Sequence, residues 1–166
     1  MKQLRKYIRR MLTESVTDQA GWFFSVEPGF EQMSRRDVPS GEQLPKGRGA
    51  YYGRYVQGNC QTIFQIEERD WYDFVNGRET TVIWIHGIRS TPPAECQGKG
   101  MGSHVMRQIM SFADAVGIGV AGDVVPYGSS KMTREDMTAF DARFGLMPLK
   151  HWEQFADLGS MEEEYQ

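Results

Sequence analysis

Long apolar stretches are missing from this chain of 166 residues. Its longest run of aliphatic or aromatic residues covers only positions 82–85, whereas a membrane-spanning helix needs about 20 apolar residues in a row. The basic start of the chain continues into Thr13, Glu14 and Ser15 instead of an apolar segment, so no secretory signal is predicted. The sequence therefore predicts a protein that works in the cytoplasm, away from membranes.

Cysteine and histidine are scarce as well. The two cysteines, Cys60 and Cys96, are 36 positions apart and form no CxxC pair, so the sequence predicts neither a disulfide framework nor a zinc site with four ligands. The histidines form no HExxH pattern; they are His86, His104 and His151. We expect no metal centre, a reducing compartment and, at Cys96, a small buried side chain rather than a nucleophile.

A large excess of charge of one sign is also absent. There are 19 Lys and Arg residues against 22 Asp and Glu residues, and the resulting net charge of −3 does not favour general nucleic-acid binding. Five of the first ten residues are basic, on one face of an amphipathic helix predicted over residues 2–14. We interpret that face as a solvated surface; the alternative is a patch for RNA, phosphate or an acidic partner.

The length predicts a single domain covering residues 1–166. In its first part, residues 21–26 are typical of a short strand. Residues 33–49 are polar and lack periodicity, which predicts a long loop and a candidate lid. Residues 50–56 and 61–67 predict two strands that a short turn joins into a hairpin.

More regular patterns follow in the second half. Residues 80–88 form a continuous apolar run, typical of a strand buried on both faces. Residues 103–116 carry apolar side chains at helical spacing, residues 118–125 predict another strand, and a last helix begins at Thr133 with Asp136 placed for a capping box. Strand, helix and strand in this order predict a parallel βαβ unit. The fold class is therefore α/β or α+β, with a mixed, mostly antiparallel sheet.

A glycine-rich segment between the buried strand and its helix carries the strongest signal for a ligand. It reads QGKGMG from Gln97 to Gly102. Glycines at a helix start expose free N–H groups and the positive end of the helix dipole to an anion such as phosphate. The P-loop pattern fails because Lys99 is followed by Gly100 rather than by Ser or Thr, and the dinucleotide-binding pattern G-x-G-x-x-G fails at its last position.

The segment resembles the acetyl-CoA site of the GNAT (GCN5-related N-acetyltransferase) family, whose pattern is Q/R-x-x-G-x-G/A between a buried strand and an amphipathic helix. Gln97, Gly100 and Gly102 match the pattern in register, and residues 139–146 resemble the family's last helix. The resemblance covers residues 80–146 and implies an acyl-CoA N-acyltransferase fold with acetyl-CoA as cosubstrate. It implies CoA contacts at the following residues: Ile88, Gln97, Gly98, Lys99, Gly100, Met101, Gly102 and Ser103.

The same resemblance implies acetyl transfer to an amine by direct attack on the thioester, with residues 1–75 shaping the acceptor side. In the family, a bulge in the strand before the motif helps to open a slot for the acetyl group. Gly87 is the candidate bulge residue here, because an interior strand glycine often marks one. Backbone at Ile88 and Ser90 would then lie beside the thioester.

For the general acid and the general base of this reaction, the sequence offers only candidate residues. The family's last helix commonly places a Tyr where this chain has Asp141, which makes Tyr127 the nearest substitute as proton donor. Candidate bases are His86, Asp123 and Glu95, and the alternative for His86 is a structural role.

Two other functions stay open at this point. A non-catalytic CoA-binding or protein-interaction module on the same fold is the first, because the Tyr is missing. A nucleic-acid-associated accessory protein that acts through the basic first helix is the second. We also consider a homodimer, since only 20 residues follow Leu146 to form the family's final strand pair. The sequence does not specify the amine acceptor.

Overall fold

A five-stranded sheet with helices against it forms the fold. The structure, a computed structural model, describes residues 16–34, 36–37, 50–73, 77–122 and 132–146. Its strands and helices follow in this order: α1 (Val16–Ser25), β1 (Phe30–Gln32), β2 (Tyr51–Gln57), β3 (Cys60–Asp73), β4 (Arg78–Thr91), α2 (Pro93–Cys96), α3 (Met101–Val116), β5 (Gly119–Gly122) and α4 (Arg134–Ala142). In the described ranges, no helix is both long and apolar enough to cross a membrane.

The order of the strands in the sheet is their order in the chain, β1-β2-β3-β4-β5. The first four strands pair antiparallel with their neighbours, whereas β5 runs parallel to β4. A parallel neighbour needs a crossover connection, and α3 provides it. The structure thus confirms a mixed α+β fold with a mixed, mostly antiparallel sheet and one parallel βαβ unit.

Helices α1 and α3 pack together on one face of the sheet, which we call the helix face. Phe24 of α1 lies at the centre of this core, with ring centroids 5.1 Å from Phe64 on β3, 5.3 Å from Tyr51 on β2 and 5.6 Å from Phe112 on α3. All four side chains are buried almost completely. Burying each of them contributes roughly 1.5–3 kcal/mol, so aromatic packing holds α1 to α3 and the sheet.

The strand predicted over residues 21–26 is wrong, because Val16–Ser25 is a helix. Ala20 and Phe24 are four positions apart, one turn of a helix, and both are fully buried, while Trp22 between them is 68% exposed. A run of three aromatic residues suits a strand by propensity. Packing of one helical stripe against α3 overrides that preference.

The predicted hairpin is confirmed. Strands β2 and β3 pair from Tyr51–Ile66 to Gln57–Cys60, and the tight turn between them places Gly58 at a φ of 60°, where glycine costs little. Strands β3 and β4 are longer than the sequence indicated, with 14 residues each. The long pairing of β3 with β4 forms the central part of the sheet, and the candidate functional site lies on these two strands.

The last helix also follows its prediction. Thr133 caps α4: its hydroxyl accepts a hydrogen bond from the Asp136 N–H, and the Asp136 carboxylate accepts one from the Thr133 N–H. Phe140 and Phe144 pack half-buried against the main core, and Gly145 adopts a left-handed φ of 82° after the helix. Several predictions lie outside the described residues: the helix over residues 2–14, most of the loop over 33–49, residues 123–125 of the last strand, and everything after residue 146.

Candidate functional site

A β-bulge in β4 marks the candidate site. Gln65 on β3 pairs with Gly87, but the next residue, Ile66, pairs with Ile85, so His86 is an extra residue in β4. The bulge predicted at Gly87 is therefore confirmed, with His86 as the inserted residue. Because of it, Ile85 and Ile88 both lie on the helix face although they are three positions apart.

The bulge directly follows the last described pair between β4 and β5. Among the described residues, the last pair between the two strands is Ile85 with Gly122, and β4 then continues to Thr91 paired with β3 alone.

The glycine-rich segment forms an open turn, which we call the glycine turn (residues 97–100). Gly98 and Gly100 have φ angles of 80° and 78°, a left-handed conformation that favours glycine. A Cβ atom at either position would meet nothing within 4 Å, so the space around both glycines is open. Gln97 and Lys99 are exposed as well. A ligand can therefore approach this backbone closely.

Helix α3 begins at this turn without a side-chain cap. Gly100 is the N-cap residue, no side-chain cap hydrogen bond forms among the described residues, and the first turn contains no acidic residue. The first N–H groups of a helix have no partner within the helix, and with the dipole they favour an anion. The site of a Cβ atom on Gly102 is 3.9 Å from Ile88 and 4.0 Å from Phe140, so the bulged strand, the start of α3 and α4 all meet here.

A disulfide between Cys60 and Cys96 contradicts the prediction that the two cysteines stay unpaired. Their Cα atoms are 5.6 Å apart. Cys60 begins β3, directly beside the Gln61–Thr91 pair where β4 leaves the sheet, and the single turn of α2 leads the chain back to Cys96. The spacing of 36 positions between the two cysteines does not predict that the chain brings them together. The expectation of a reducing compartment rested on unpaired cysteines and loses that support.

The disulfide anchors the glycine turn. Cys60, Cys96 and Met101 form a small buried cluster with Tyr55 packed against it. Cys96 directly precedes the turn and Met101 directly follows it, and both are almost fully buried. The ammonium group of Lys99 lies 3.8 Å from the Cys60 sulfur. The turn is therefore exposed at its tip and fixed at both ends.

A shallow cavity of about 350 Å³ lies on the other side of Cys60, between the β2–β3 turn and the end of β4. Its lining includes Val56, Asn59 and Pro92, but no residue of the glycine turn. It therefore does not contribute to the candidate CoA site. Among the described residues, no group of three or more His, Cys, Asp or Glu side chains is arranged to hold a metal ion.

On the face of the sheet opposite to the helix face, His86 belongs to a cluster of charged side chains. Its Nε2 atom lies 3.0 Å from Oε1 of Glu67 on β3. The same oxygen accepts two hydrogen bonds from Arg69, at 2.7 Å from a terminal guanidinium nitrogen and 3.0 Å from Nε. The Glu67 side chain is only 3% exposed, against 21% for His86 and 40% for Arg69.

Glu67 stays ionised in this position. Burial alone would raise the pKa of its carboxyl group, but the hydrogen bonds from Arg69 and the interaction with His86 outweigh burial, so the pKa lies below its ordinary value. Sequence reasoning missed Glu67. It stands at the end of a predicted strand with no motif around it, and only the pairing of Glu67 with Trp84 brings it beside the bulge.

The other predicted acid and base residues have different positions. Asp141 is half-buried on α4, and burial raises the pKa of its carboxyl group above the ordinary value of 3.8. Glu95 is exposed on α2. Ser90 was predicted only to place its backbone beside the thioester, and its hydroxyl is 2.8 Å from that of Thr62 on β3. Tyr127 and Asp123 lie outside the described residues.

Comparison with known proteins gives little beyond this geometry. No protein-family model matches the chain, and no curated protein matches it. Two solved structures are similar to it, both of mutants of the BH1408 protein from Bacillus halodurans. A tetramutant gives a TM-score of 0.48 at 15% identity over 63% of this chain, and the matching region spans only 64% of that protein. A point mutant gives 0.46 at 14% identity over 83% of this chain and 88% of the other.

Proposed function

We propose that this protein is an acyl-CoA-dependent N-acyltransferase of the GNAT type, which transfers an acetyl group from acetyl-CoA to an amine. One observation carries the proposal: an open, left-handed glycine turn leads into an uncapped helix directly beyond a bulged strand. The three features serve one ligand if the pyrophosphate of CoA lies at the helix start and the acyl arm extends toward the bulge.

The residues near the turn fit CoA chemically. Backbone N–H groups from Gly98 to Ser103 would hold the pyrophosphate, and Lys99 adds a positive charge within the turn itself. Ile88 supplies an apolar side chain and backbone groups along the path of the acyl arm. The disulfide at Cys96 keeps the turn in its binding conformation before the ligand arrives, which lowers the entropy cost of binding.

The reaction requires a base for the amine proton and a donor for the departing thiolate. His86 is the base in this proposal, because it is the inserted residue of the bulge toward which the acyl arm would extend. Asp141 is the candidate donor, since burial shifts its pKa in the direction that keeps the carboxyl group protonated. Tyr127 remains a second candidate donor by its place in the sequence.

Two measurements on the same sample test the proposal. Calorimetric titration with acetyl-CoA measures binding, and release of free thiol in the presence of a panel of primary amines measures transfer. We expect binding together with amine-dependent thiol release. Absence of binding at millimolar acetyl-CoA contradicts the proposal. Binding without thiol release favours a non-catalytic CoA-binding module on the same fold.

A further inference from the structure

A buried carboxylate beside a histidine calls for a structural or functional explanation. Burying a carboxylate costs several kcal/mol unless other groups compensate for the hydrogen bonds to water that it loses. Glu67 is such an acid, with its side chain 3% exposed and one oxygen shared between Arg69 and His86. It lies on β3, outside the segment that resembles the acetyl-CoA site. Its contact with the inserted residue of the bulge connects it to the proposed reaction.

The two cations around Glu67 differ in their exposure to water. Arg69 is 40% exposed, stacks 4.2 Å above the ring of Trp84 and is screened by solvent, whereas His86 is 21% exposed. The contact between His86 and Glu67 joins Nε2 to Oε1 at 3.0 Å, which is the distance of an ion pair. It is an electrostatic contact between the buried carboxylate and the imidazole.

We propose that Glu67 is the positioning residue for His86: its buried carboxylate holds the imidazole at the bulge and stabilises the imidazolium that forms when His86 takes the proton of the amine. This inference rests on the proposed function. It adds a specific role for a residue on β3, and Arg69 supports it by keeping the Glu67 carboxylate ionised and in place.

Acetyl transfer exchanges a thioester bond for an amide bond. The amine nitrogen forms a bond to the acetyl carbon, and the bond between that carbon and the CoA sulfur breaks with its electron pair leaving on sulfur. The amine gives one proton to His86, which later releases it to water, and the thiolate takes up one proton. The products are the amide and the free CoA thiol.

Glu67→Gln tests this role, and Glu68→Gln is the matched control. Both substitutions remove one negative charge from neighbouring positions of β3, but successive side chains of a strand point to opposite faces, so only Glu67 shares the face of His86. Glutamine keeps the size of the side chain, and circular dichroism shows whether each variant is folded.

The first readout needs no acetyl-CoA. Proton NMR follows the imidazole signal of His86 in the free protein as the pH changes, with the signal assigned through a His86→Gln variant. In Glu67→Gln, we expect the midpoint of protonation at His86 to move to lower pH, because the carboxylate is gone and Arg69 remains. Glu68→Gln should leave it unchanged. An unchanged midpoint in Glu67→Gln overturns the inference, whatever the protein catalyses.

The second readout is the rate of acetyl transfer. We expect Glu67→Gln to lower kcat about tenfold, with an unchanged KM for acetyl-CoA, and to move the acid limb of the pH–rate profile to lower pH. A fall in kcat without movement of the acid limb indicates a merely structural Glu67 and contradicts the inference. If the NMR midpoint moves but the native protein transfers no acetyl group, the proposed function fails and the contact between Glu67 and His86 survives as a structural ion pair.

Discussion

The two ends of α3 have the same backbone conformation and opposite surroundings. Gly100 before the helix and Gly117 after it are both left-handed, with φ angles of 78° and 70°, and both would place a Cβ atom in open space. At the carboxyl end, the N–H of Gly117 bonds to carbonyl oxygens of the last turn, from Ala113 and Asp114. At the amino end, no side chain of the described residues caps the first turn.

This difference shows what each glycine does. Gly117 completes a helix cap and turns the chain into β5, which is a structural role. Gly100 leaves N–H groups exposed at the positive end of the dipole, between a disulfide and a bulged strand. An end that is rigid, open and uncapped costs stability, and binding an anion offsets that cost. The amino end is therefore the proposed binding site, and the carboxyl end of the same helix is its internal control.

The largest effect is expected from removing the disulfide. A double variant, Cys60→Ser with Cys96→Ser, releases the anchor of the glycine turn and a constraint on the unfolded chain. For a closed loop of this length, the free energy of unfolding should fall by about 3–4 kcal/mol. Thermal unfolding measures it.

Reduction provides the control for this variant. The native protein treated with a dithiol should unfold like the double variant, and the double variant should not respond to the dithiol. Equal stability of the native protein before and after reduction would show that the bond does not form in solution.

The second largest effect is expected from valine substitutions at the two ends of α3, which distinguish a loss of ligand affinity from backbone strain. Gly100→Val and Gly117→Val impose the same left-handed strain, and each should lower the free energy of unfolding by about 1–2 kcal/mol or more. Only Gly100→Val should also weaken acetyl-CoA binding, by at least about a hundredfold, which corresponds to about 2.7 kcal/mol. Calorimetry measures both affinities.

A similar loss of affinity in both variants would mean that strain, rather than blocked access to the backbone, is responsible. Equal and undiminished affinity in both would remove the glycine turn from the site.

The smallest effect is expected at Gly102, inside the first turn of α3. Its φ is not left-handed, and an added Cβ would make ordinary contacts with Ile88 and Phe140. Gly102→Ala should therefore raise the free energy of unfolding by up to about 1 kcal/mol. It should keep acetyl-CoA affinity within about twofold, because the added methyl group would face Ile88 and Phe140 and leave the open backbone of the glycine turn unchanged. Destabilisation by this variant would contradict the packing described at the helix start.

The sequence predicted the parts of the fold that depend on local pattern. The continuous apolar run of β4, the helical stripe of α3 and the Thr133 capping box all form as predicted. Residues 21–26 were mistaken for a strand, since their aromatic side chains favour strands locally and only contact with Phe112 of α3 selects the helix.

Only the features of the candidate site that have a local sequence signature could be predicted. The glycine turn and the bulge glycine have local signatures, and both were found from the sequence. The disulfide and the Glu67–His86 contact join residues that are far apart in the chain, through the registers of β3 and β4. No spacing rule predicts such a register, so these two features required the structure.

One spectrum tests the central claim most directly. The amide signals of the ¹⁵N-labelled native protein are recorded while acetyl-CoA is added. We expect the largest shifts at Gly98, Gly100, Met101, Gly102 and Ser103, with Gly117 and Ile118 at the other end of the helix nearly unchanged. Saturating acetyl-CoA that leaves the glycine turn unshifted, or shifts both ends of α3 equally, would contradict the account.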